Sequence, residues 1–247
     1  MADMPEEESF ISHLIELRTR LIRALIGVGI VFLCLMPFSA QIYDLLAAPM
    51  MAALPQGTKM IATGVVAPFF VPLKVTLMAG FLIALPWVLW QIWAFVAPGL
   101  YAHEKRLAGP LIVASTALFF TGMAFCYFFV FRTVFKFIAG FSPKSILPAP
   151  DIEQYLSFVM TMFLAFGITF EVPIAVILLV KAGLVSIAKL KEIRSYVIVA
   201  AFVIAAVVTP PDVSSQIMLA VPMCVLYEIG IFVARFVAPK EEPVEQA

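Results

Sequence analysis

Long runs of apolar residues, separated by short polar and proline-containing segments, fill most of this chain of 247 residues. A helix needs about 20 apolar residues to cross the roughly 30 Å hydrocarbon core of a bilayer, so runs of this length predict membrane-spanning helices. The pattern predicts six spans, at about residues 22–38, 69–97, 107–135, 155–182, 195–210 and 214–236. It therefore predicts an all-α membrane protein whose residues 1–247 form a single polytopic domain.

The segments outside the spans also carry a pattern. Residues 1–21 predict an acidic tail followed by a short amphipathic helix at the cytoplasmic interface, since apolar residues recur there at helical spacing. These residues are Phe10, Leu14, Leu17 and Leu21. Residues 237–247 predict a second cytoplasmic tail. Residues 39–68 and 137–154, both rich in proline, predict two outside segments that pack on the bundle.

Prolines and span lengths refine the predicted shape. Each proline within a helix removes a backbone hydrogen bond and favours a bend. Spans 2, 3, 4 and 6 contain such prolines: Pro86, Pro110, Pro173 and Pro222. We therefore expect bent helices that form a concave wall. The last two helices are expected to be short. Residues 195–210 would extend only about 24 Å at about 1.5 Å per residue, and in the last span only the eleven residues between Gln216 and Glu228 are free of polar interruption.

Composition and charge fix the class and the orientation. Apolar residues make up 63% of the chain and charged residues 13%, against about 45–50% and about 25% in soluble domains. No short apolar core with a cleavage site precedes the first span, so we expect no removable signal peptide. With six spans, eleven of the 16 lysines and arginines fall on the side of the termini and five on the other. The positive-inside rule then places both termini in the cytoplasm.

The sequence offers no pattern typical of catalysis. Its three cysteines lie singly inside apolar spans, and no Cys, His or Asp cluster has metal-ligand spacing. No phosphate-binding glycine loop and no nucleophile motif is present. We expect neither an enzyme nor a bound metal, cofactor or nucleic acid.

Two cytoplasmic segments carry a family resemblance. They are residues 9–21, SFISHLIELRTRL, and residues 95–106, FVAPGLYAHEKR. Further matching positions are Ala48-Pro49, Pro68-Phe69-Phe70, Phe166-Gly167, Phe170-Glu171-Val172-Pro173 and Thr209-Pro210-Pro211-Asp212 with Gln216. In order and spacing, from about Ser9 to Phe236, the chain resembles the TatC family of the twin-arginine protein export system.

The resemblance implies a function. It implies a receptor in the bacterial cytoplasmic (inner) membrane that binds the twin-arginine signal peptides of folded proteins. Glu16 and Glu104 would bind the two arginines, and Arg18 and Phe95 would shape the same surface. It also implies the single-span partners TatB and TatA, with the proton-motive force as energy source, and a receptor complex that holds several copies of this chain.

Taken one by one, these residues have plainer interpretations. Glu16 and Arg20 are four residues apart, the spacing of a routine helix surface pair. Glu104 precedes a helix, where an acid favours the positive end of the helix dipole. Phe95 alone would be an interfacial anchor. The order of the motifs, rather than any single residue, favours recognition of arginine by a carboxylate.

Glu171 is the one charge in the 26 residues from Tyr155 to Val180. A carboxylate at such a depth is costly and indicates function. It predicts either a polar, hydrated element on the concave face, in contact with an inserted signal peptide, or the carrier group of a proton- or ion-coupled solute transporter. A transporter usually also needs partner charges and discontinuous helices, so the first is preferred. A third class, a membrane scaffold without a ligand, stays open.

The resemblance also implies that the single-span partners dock at the hairpin of the last two spans, where Asp212 and Gln216 lie. Gln216 would seek a hydrogen bond across helices, either to a partner helix or within the same subunit. Asp212 could dock a partner or simply cap the last helix, for which aspartate is well suited. Six helices form a bundle only about 30 Å across at interaxial distances of about 8–10 Å. Such a bundle cannot enclose a folded passenger, which favours a receptor over a pore.

Overall fold

The computed structural model describes residues 4–54, 59–100, 108–141, 149–209 and 213–237. These ranges are almost wholly helical, because a helix satisfies its own backbone hydrogen bonds where lipid offers none. The helices are α1 Met4–Leu35, α2 Ser39–Ala53, α3 Ala67–Ile83, α4 Leu85–Leu100, α5 Ala108–Phe125, α6 Phe131–Phe141, α7 Ile152–Phe170, α8 Val172–Lys181, α9 Ile187–Glu192, α10 Arg194–Val208 and α11 Val213–Val237. A 3₁₀ turn, Met36–Phe38, joins α1 to α2, and a π-helical turn, Cys126–Val130, joins α5 to α6.

Several helical stretches are long and apolar enough to cross a membrane. Within the described ranges four qualify alone: Ser12–Ala52, Gly109–Phe137, Ile152–Lys181 and Val213–Phe236. A fifth span would be the pair Ala67–Ile83 and Leu85–Phe95, bent by 56°. The predicted all-α membrane class is confirmed. The count of six spans, the cytoplasmic termini, the concave wall and the single domain stay predictions.

One predicted length needs correction. The last helix is not short, because α11 has 25 residues, about 37 Å. Only α10, with 15 apolar-rich residues, has the predicted shortness. The outside segment predicted at 39–68 begins with the helix α2, which tolerates Pro49 inside it.

The four prolines expected to bend helices behave differently from one another. Pro86 follows the break at Ala84 between α3 and α4. Pro173 lies in the first turn of α8, directly after α7 ends at Phe170. Pro110 falls in the first turn of α5, and Pro222 lies inside the unbroken α11. The first two prolines thus accompany helix breaks, as predicted, and the other two do not.

By contacts the described chain divides into two compact units, residues 1–117 with 131–160, and residues 118–130 with 161–247. In the first unit α1 packs on α3 and α4, and α2 packs on α3 and α6. Gly80 permits the close approach of α3 to α1, since a Cβ there would lie 3.1 Å from the Phe32 Cα. The Tyr155 hydroxyl, which is buried, donates to the Leu46 carbonyl at 2.7 Å and ties α7 to α2.

Residues 61–63 and 150–152 form a clasp between the segment after α2 and the segment before α7. The Ile61 amide donates to the Pro150 carbonyl at 3.0 Å, and the Ile61 carbonyl accepts from the Ile152 amide at 2.9 Å. Asp151 Oδ2 accepts from the Thr63 hydroxyl at 2.7 Å and from the Thr63 amide at 3.0 Å. Asp151 Oδ1 accepts from the amides of the first turn of α7, at 2.9 Å and 3.0 Å, and so caps that helix.

Hydrogen bonding to the carboxylate sets the charge state of the clasp. The Thr63 hydroxyl and then the backbone amides lower the pKa of Asp151 to about 2. Beside it, Lys74 Nζ lies 2.7 Å from Glu153 Oε1, with both side chains about half exposed. The clasp therefore places the two segments, predicted from the sequence as separate outside loops, on the same side of the membrane.

The second unit is built around α11, which packs on α8 and α10. A Cβ on Gly230 would lie 2.9 Å from the Pro173 Cα, so α11 and α8 touch through their backbones. The Tyr227 hydroxyl donates to the Leu190 carbonyl at 2.8 Å, and Arg194 Nη2 lies 2.6 Å from Glu228 Oε2. These contacts hold α9 and the start of α10 against α11.

Candidate functional site

The described part of the candidate site lies where α1 and α4 run antiparallel. The His13 ring stacks on Phe95, with 4.3 Å between centroids and 23° between planes. Further along the pair, Trp87 Nε1 donates to the Arg23 carbonyl at 3.0 Å. Gly27 faces the same indole, since a Cβ on it would lie 2.5 Å from Trp87 Cδ1. The N-terminal turns of α1 and the C-terminal turns of α4 therefore lie at one end of the helix pair.

Glu16 lies one helical turn after His13 and forms the ion pair that its spacing permits. Its Oε1 accepts from Arg20 Nη2 at 3.0 Å and from Nε at 3.3 Å. The two side chains are 36% and 24% exposed, Glu16 being the more exposed. Arg18 is exposed on the same helix. Glu16 is thus an accessible carboxylate whose charge one guanidinium of the same chain already balances.

Two of the predicted site residues lie outside the described residues. Glu104 follows Phe95 by nine positions and falls in 101–107, and Asp212 falls in 210–212. The structure brings together Phe95 with the helix that carries Glu16 and Arg18, but it does not test whether Glu104 joins them. The partner-docking role of Asp212 likewise stays a prediction.

Glu171 lies at the junction of α7 and α8. Its amide donates to the Ile168 carbonyl, and its own carbonyl accepts from Ala175, both at 3.0 Å. Its side chain is partly buried, about 15 Å along the helix from Lys181 at about 1.5 Å per residue. The structure therefore places an acidic side chain at a helix break within a stretch long enough to span the membrane.

Gln216 lies in the first turn of α11 and is partly buried. Around it the outward surface is apolar: Val213 is 71% exposed, Ile217 45% and Val221 47%. On the preceding helix Val207 is 80% exposed. The amide therefore lies beside an apolar surface of α10 and α11 that the described residues leave uncovered.

Sequence reasoning missed two residues of the α1–α4 pair. His13 precedes Glu16 by three positions, so the helical repeat alone could have placed both on one face of α1. Trp87 donates to the Arg23 carbonyl, a backbone group that a helix normally uses internally, and no sequence pattern announces this contact. Both residues help to fix the position of the helix segment that carries Glu16.

No group of three His, Cys, Asp or Glu side chains that could hold a metal occurs in the ranges that the structure describes. Cys126 is buried, Cys224 is partly buried and Cys34 is exposed, and all three are free thiols. The arrangement offers a carboxylate, an aromatic stack and cationic side chains at one helix end. Of these groups the carboxylate can bind a cationic peptide, since it forms strong charge-assisted hydrogen bonds with guanidinium.

Comparison with known sequences gives one family. The family profile described as Sec-independent protein translocase protein (TatC) matches residues 12–222. A TatC protein of Haemophilus influenzae is 50% identical over 242 residues, 98% of this chain and 94% of that protein. The Escherichia coli K12 TatC protein is 50% identical over 235 residues, 95% of this chain and 91% of that protein. A TatC protein of Aquifex aeolicus is 39% identical over 241 residues, 95% and 98% of the two chains.

Comparison with solved structures agrees. A crystal structure of a twin arginine translocase receptor, TatC, matches with a TM-score of 0.80 at 40% identity, over 91% of this chain and 99% of that chain. The same receptor crystallised in DDM matches with the same TM-score, over 90% of this chain. The similarity thus extends over nearly the whole length in both sequence and fold.

Proposed function

The chain belongs to the TatC family of Sec-independent protein translocase proteins, and from this premise we propose that it is the subunit that receives twin-arginine signal peptides. As a family member it is a multi-pass protein of the bacterial inner membrane and a component of protein transport rather than an enzyme. The observation that carries the proposal is the accessible Glu16 carboxylate on α1, one turn from the His13–Phe95 stack that joins α1 to α4.

Recognition follows from the chemistry of the arginine side chain. A guanidinium presents a planar fork of donors that fits a carboxylate bidentately, whereas a lysine ammonium is a point charge without that fork. Glu16 and Glu104 would each take one signal arginine at the cytoplasmic surface, where partial exclusion of water strengthens the contact. Phe95 and Arg18 would shape the surface around them. A twin-lysine signal should therefore bind more weakly.

Glu171 would act deeper in the membrane. Its carboxyl group lies at a helix break, and an acid at such depth needs a polar environment. We infer that it makes one face of the protein polar enough to contact the inserted part of a signal peptide or to perturb the bilayer locally. This role would be separate from the binding of the two arginines.

Partners would complete the transport step. The uncovered apolar surface of α10 and α11 beside Gln216 suits a single membrane-spanning helix, and the glutamine amide could hydrogen-bond to it. Such helices would be those of TatB and TatA, with Asp212 at the edge of the same surface. TatB would complete the receptor, several copies of this chain would assemble in it, and TatA would be recruited for export that the proton-motive force drives.

The alternative, a proton- or ion-coupled small-solute transporter that uses Glu171, loses its basis in a family of protein translocase subunits. A scaffold without a ligand differs from the receptor in one measurable respect. A scaffold would tolerate the loss of the Glu16 carboxylate as long as the helices still packed.

Export in cells tests the receptor role. Glu16→Gln and Glu104→Gln should each strongly reduce export of a folded passenger with a twin-arginine signal, while a Sec-dependent passenger in the same cells is exported normally. Glu192→Gln is the matched control, because it removes an acid of another exposed ion pair, with Lys189 at 3.1 Å. Normal twin-arginine export in both site variants would contradict the proposal.

A further inference from the structure

We propose that Arg20 is a built-in competitor that occupies the Glu16 carboxylate until a signal arginine displaces it. The inference rests on the proposed function of Glu16 as a signal-binding residue. It is carried by the geometry of the pair, in which a guanidinium of the chain itself makes the kind of contact that the ligand would make. Arg20 would thereby set the apparent affinity of the receptor without touching the ligand.

Arg20 occupies only one of the two oxygens of the Glu16 carboxylate. Arg20 Nη2 and Nε both bind Oε1, at 3.0 Å and 3.3 Å. Oε2 accepts no hydrogen bond from the part of the chain that the structure describes. A signal arginine needs both oxygens for a bidentate contact, and any cationic ligand meets a carboxylate whose charge Arg20 already balances, so each binds Glu16 fully only after Arg20 has left.

Displacing Arg20 costs little structurally. Arg20 is four residues from Glu16 on one helix, and both side chains keep a sizeable exposed fraction. Pairs of this kind are weak because solvent screens them and two flexible side chains must be ordered. The arginine can therefore swing into solvent while the helix stays intact, which distinguishes a competitor from a structural brace.

A competitor of this kind has a defined thermodynamic signature. The apparent dissociation constant is the intrinsic one divided by the fraction of receptor with a free carboxylate. That fraction is a property of the receptor alone, so every ligand that uses Glu16 loses affinity by the same factor. Removing Arg20 should therefore strengthen the binding of different signals equally and leave their relative affinities unchanged.

The test measures binding of fluorescent twin-arginine and twin-lysine signal peptides to the full chain in lipid nanodiscs. Arg20→Gln should bind the twin-arginine peptide about two- to fivefold more tightly, as expected for the loss of one partly exposed pair. The ratio between the two peptides should stay at its wild-type value. Arg20→Lys, which keeps the charge but lacks the fork, should show a smaller gain in the same direction and serves if Arg20→Gln does not accumulate.

Arg23→Gln is the control for charge alone. Arg23 is exposed on the same helix, one turn further on, and its side chain makes none of the ion pairs seen among the described residues. Its loss removes the same repulsion of a cationic peptide but does not free Glu16. An equal gain in Arg23→Gln, unchanged or weaker binding in Arg20→Gln, or a changed ratio between the peptides would each overturn the competitor role.

Failure of the underlying function gives a different result. If Glu16 does not bind the signal, Glu16→Gln binds the twin-arginine peptide as tightly as the wild type does, and the competitor role falls with it. If Glu16→Gln weakens binding but Arg20→Gln does not strengthen it, the receptor function stands and only the competitor role is wrong.

Discussion

The imidazole of His13 lies against the phenyl ring of Phe95 at 4.3 Å, so the first turns of α1 are held to the last turns of α4 by a ring contact. If the stack positions Glu16, His13→Ala should weaken twin-arginine peptide binding about two- to tenfold, the range that corresponds to the energy of an aromatic pair. His13→Phe keeps the ring and should bind like the wild type. Peptide titration of purified protein measures both. A His13→Phe variant as weak as His13→Ala would show that the imidazole, and not ring stacking, is required.

Loss of the Asp151 carboxylate should loosen the clasp of residues 61–63 and 150–152. Asp151→Ala removes the cap of α7 and the partner of Thr63, so we expect the Tm in detergent to fall by about 2–4 °C. Glu153→Gln is the control, since its pair with Lys74 is half exposed and contributes little. A Tm drop in the control as large as that in Asp151→Ala would assign the effect to surface charge.

The same carboxylate predicts a dependence on pH. Its folded pKa of about 2 lies below the ordinary value of about 3.9. A depressed pKa means that the stabilisation is complete above about pH 4 and is lost as the pH falls through about 2. The Tm difference between wild type and Asp151→Asn should therefore be constant from neutral pH to about pH 4 and shrink below that. A difference that shrinks between pH 7 and pH 5 would contradict the assignment.

The backbone contact between α8 and α11 predicts a sharp packing effect. Gly230→Ala places a methyl group 2.9 Å from the Pro173 Cα and 3.0 Å from the Val176 Cβ. The helices must separate, which should cost about 1–3 kcal/mol and lower the thermal stability of the purified protein. Gly29→Ala, in the helix α1 with nothing within 4 Å, should cost nothing, because alanine favours a helix over glycine. Equal stability of the two variants would refute the close packing.

Glu171→Gln separates the two proposed roles of the acidic residues. The variant should bind a short twin-arginine peptide as the wild type does, because residue 171 falls within the candidate span Ile152–Lys181 and the proposal assigns the two arginines to Glu16 and Glu104. Its export of folded passengers and its crosslinking to the apolar part of the signal should both fall. Normal export, together with normal crosslinking, would leave Glu171 without the proposed function.

The sequence predicts the last two helices well, because charged residues (Arg194, Asp212 and Arg235) mark the ends of their apolar runs. Residues 214–236 correspond closely to α11 Val213–Val237, and 195–210 to α10 Arg194–Val208. Bends are harder, because Pro86 and Pro222 look alike in the sequence but only the first follows a break. Whether a proline bends a helix depends on the neighbouring elements, and these are set by the tertiary fold.

The contacts of the site depend even more on the fold. The spacing of Glu16 and Arg20 predicts their ion pair directly, since both lie on one helix. The His13–Phe95 stack and the Thr63–Asp151 hydrogen bonds join residues more than eighty positions apart. No local pattern encodes such contacts. No sequence pattern predicts the π-helical turn at Cys126–Val130 either, because its residues are as apolar as the helices on either side.

The clasp also constrains how the protein is made. Thr63 and Asp151 are 88 positions apart, and between them lie α3, α4, α5 and α6. The hydrogen bonds cannot form until the ribosome has synthesised residue 151 and Asp151 has reached the side of the membrane on which Thr63 lies. Until then α7 lacks its cap and the segment after α2 lacks its partner. The first half of the chain therefore completes its fold only after the second half has begun to enter the membrane.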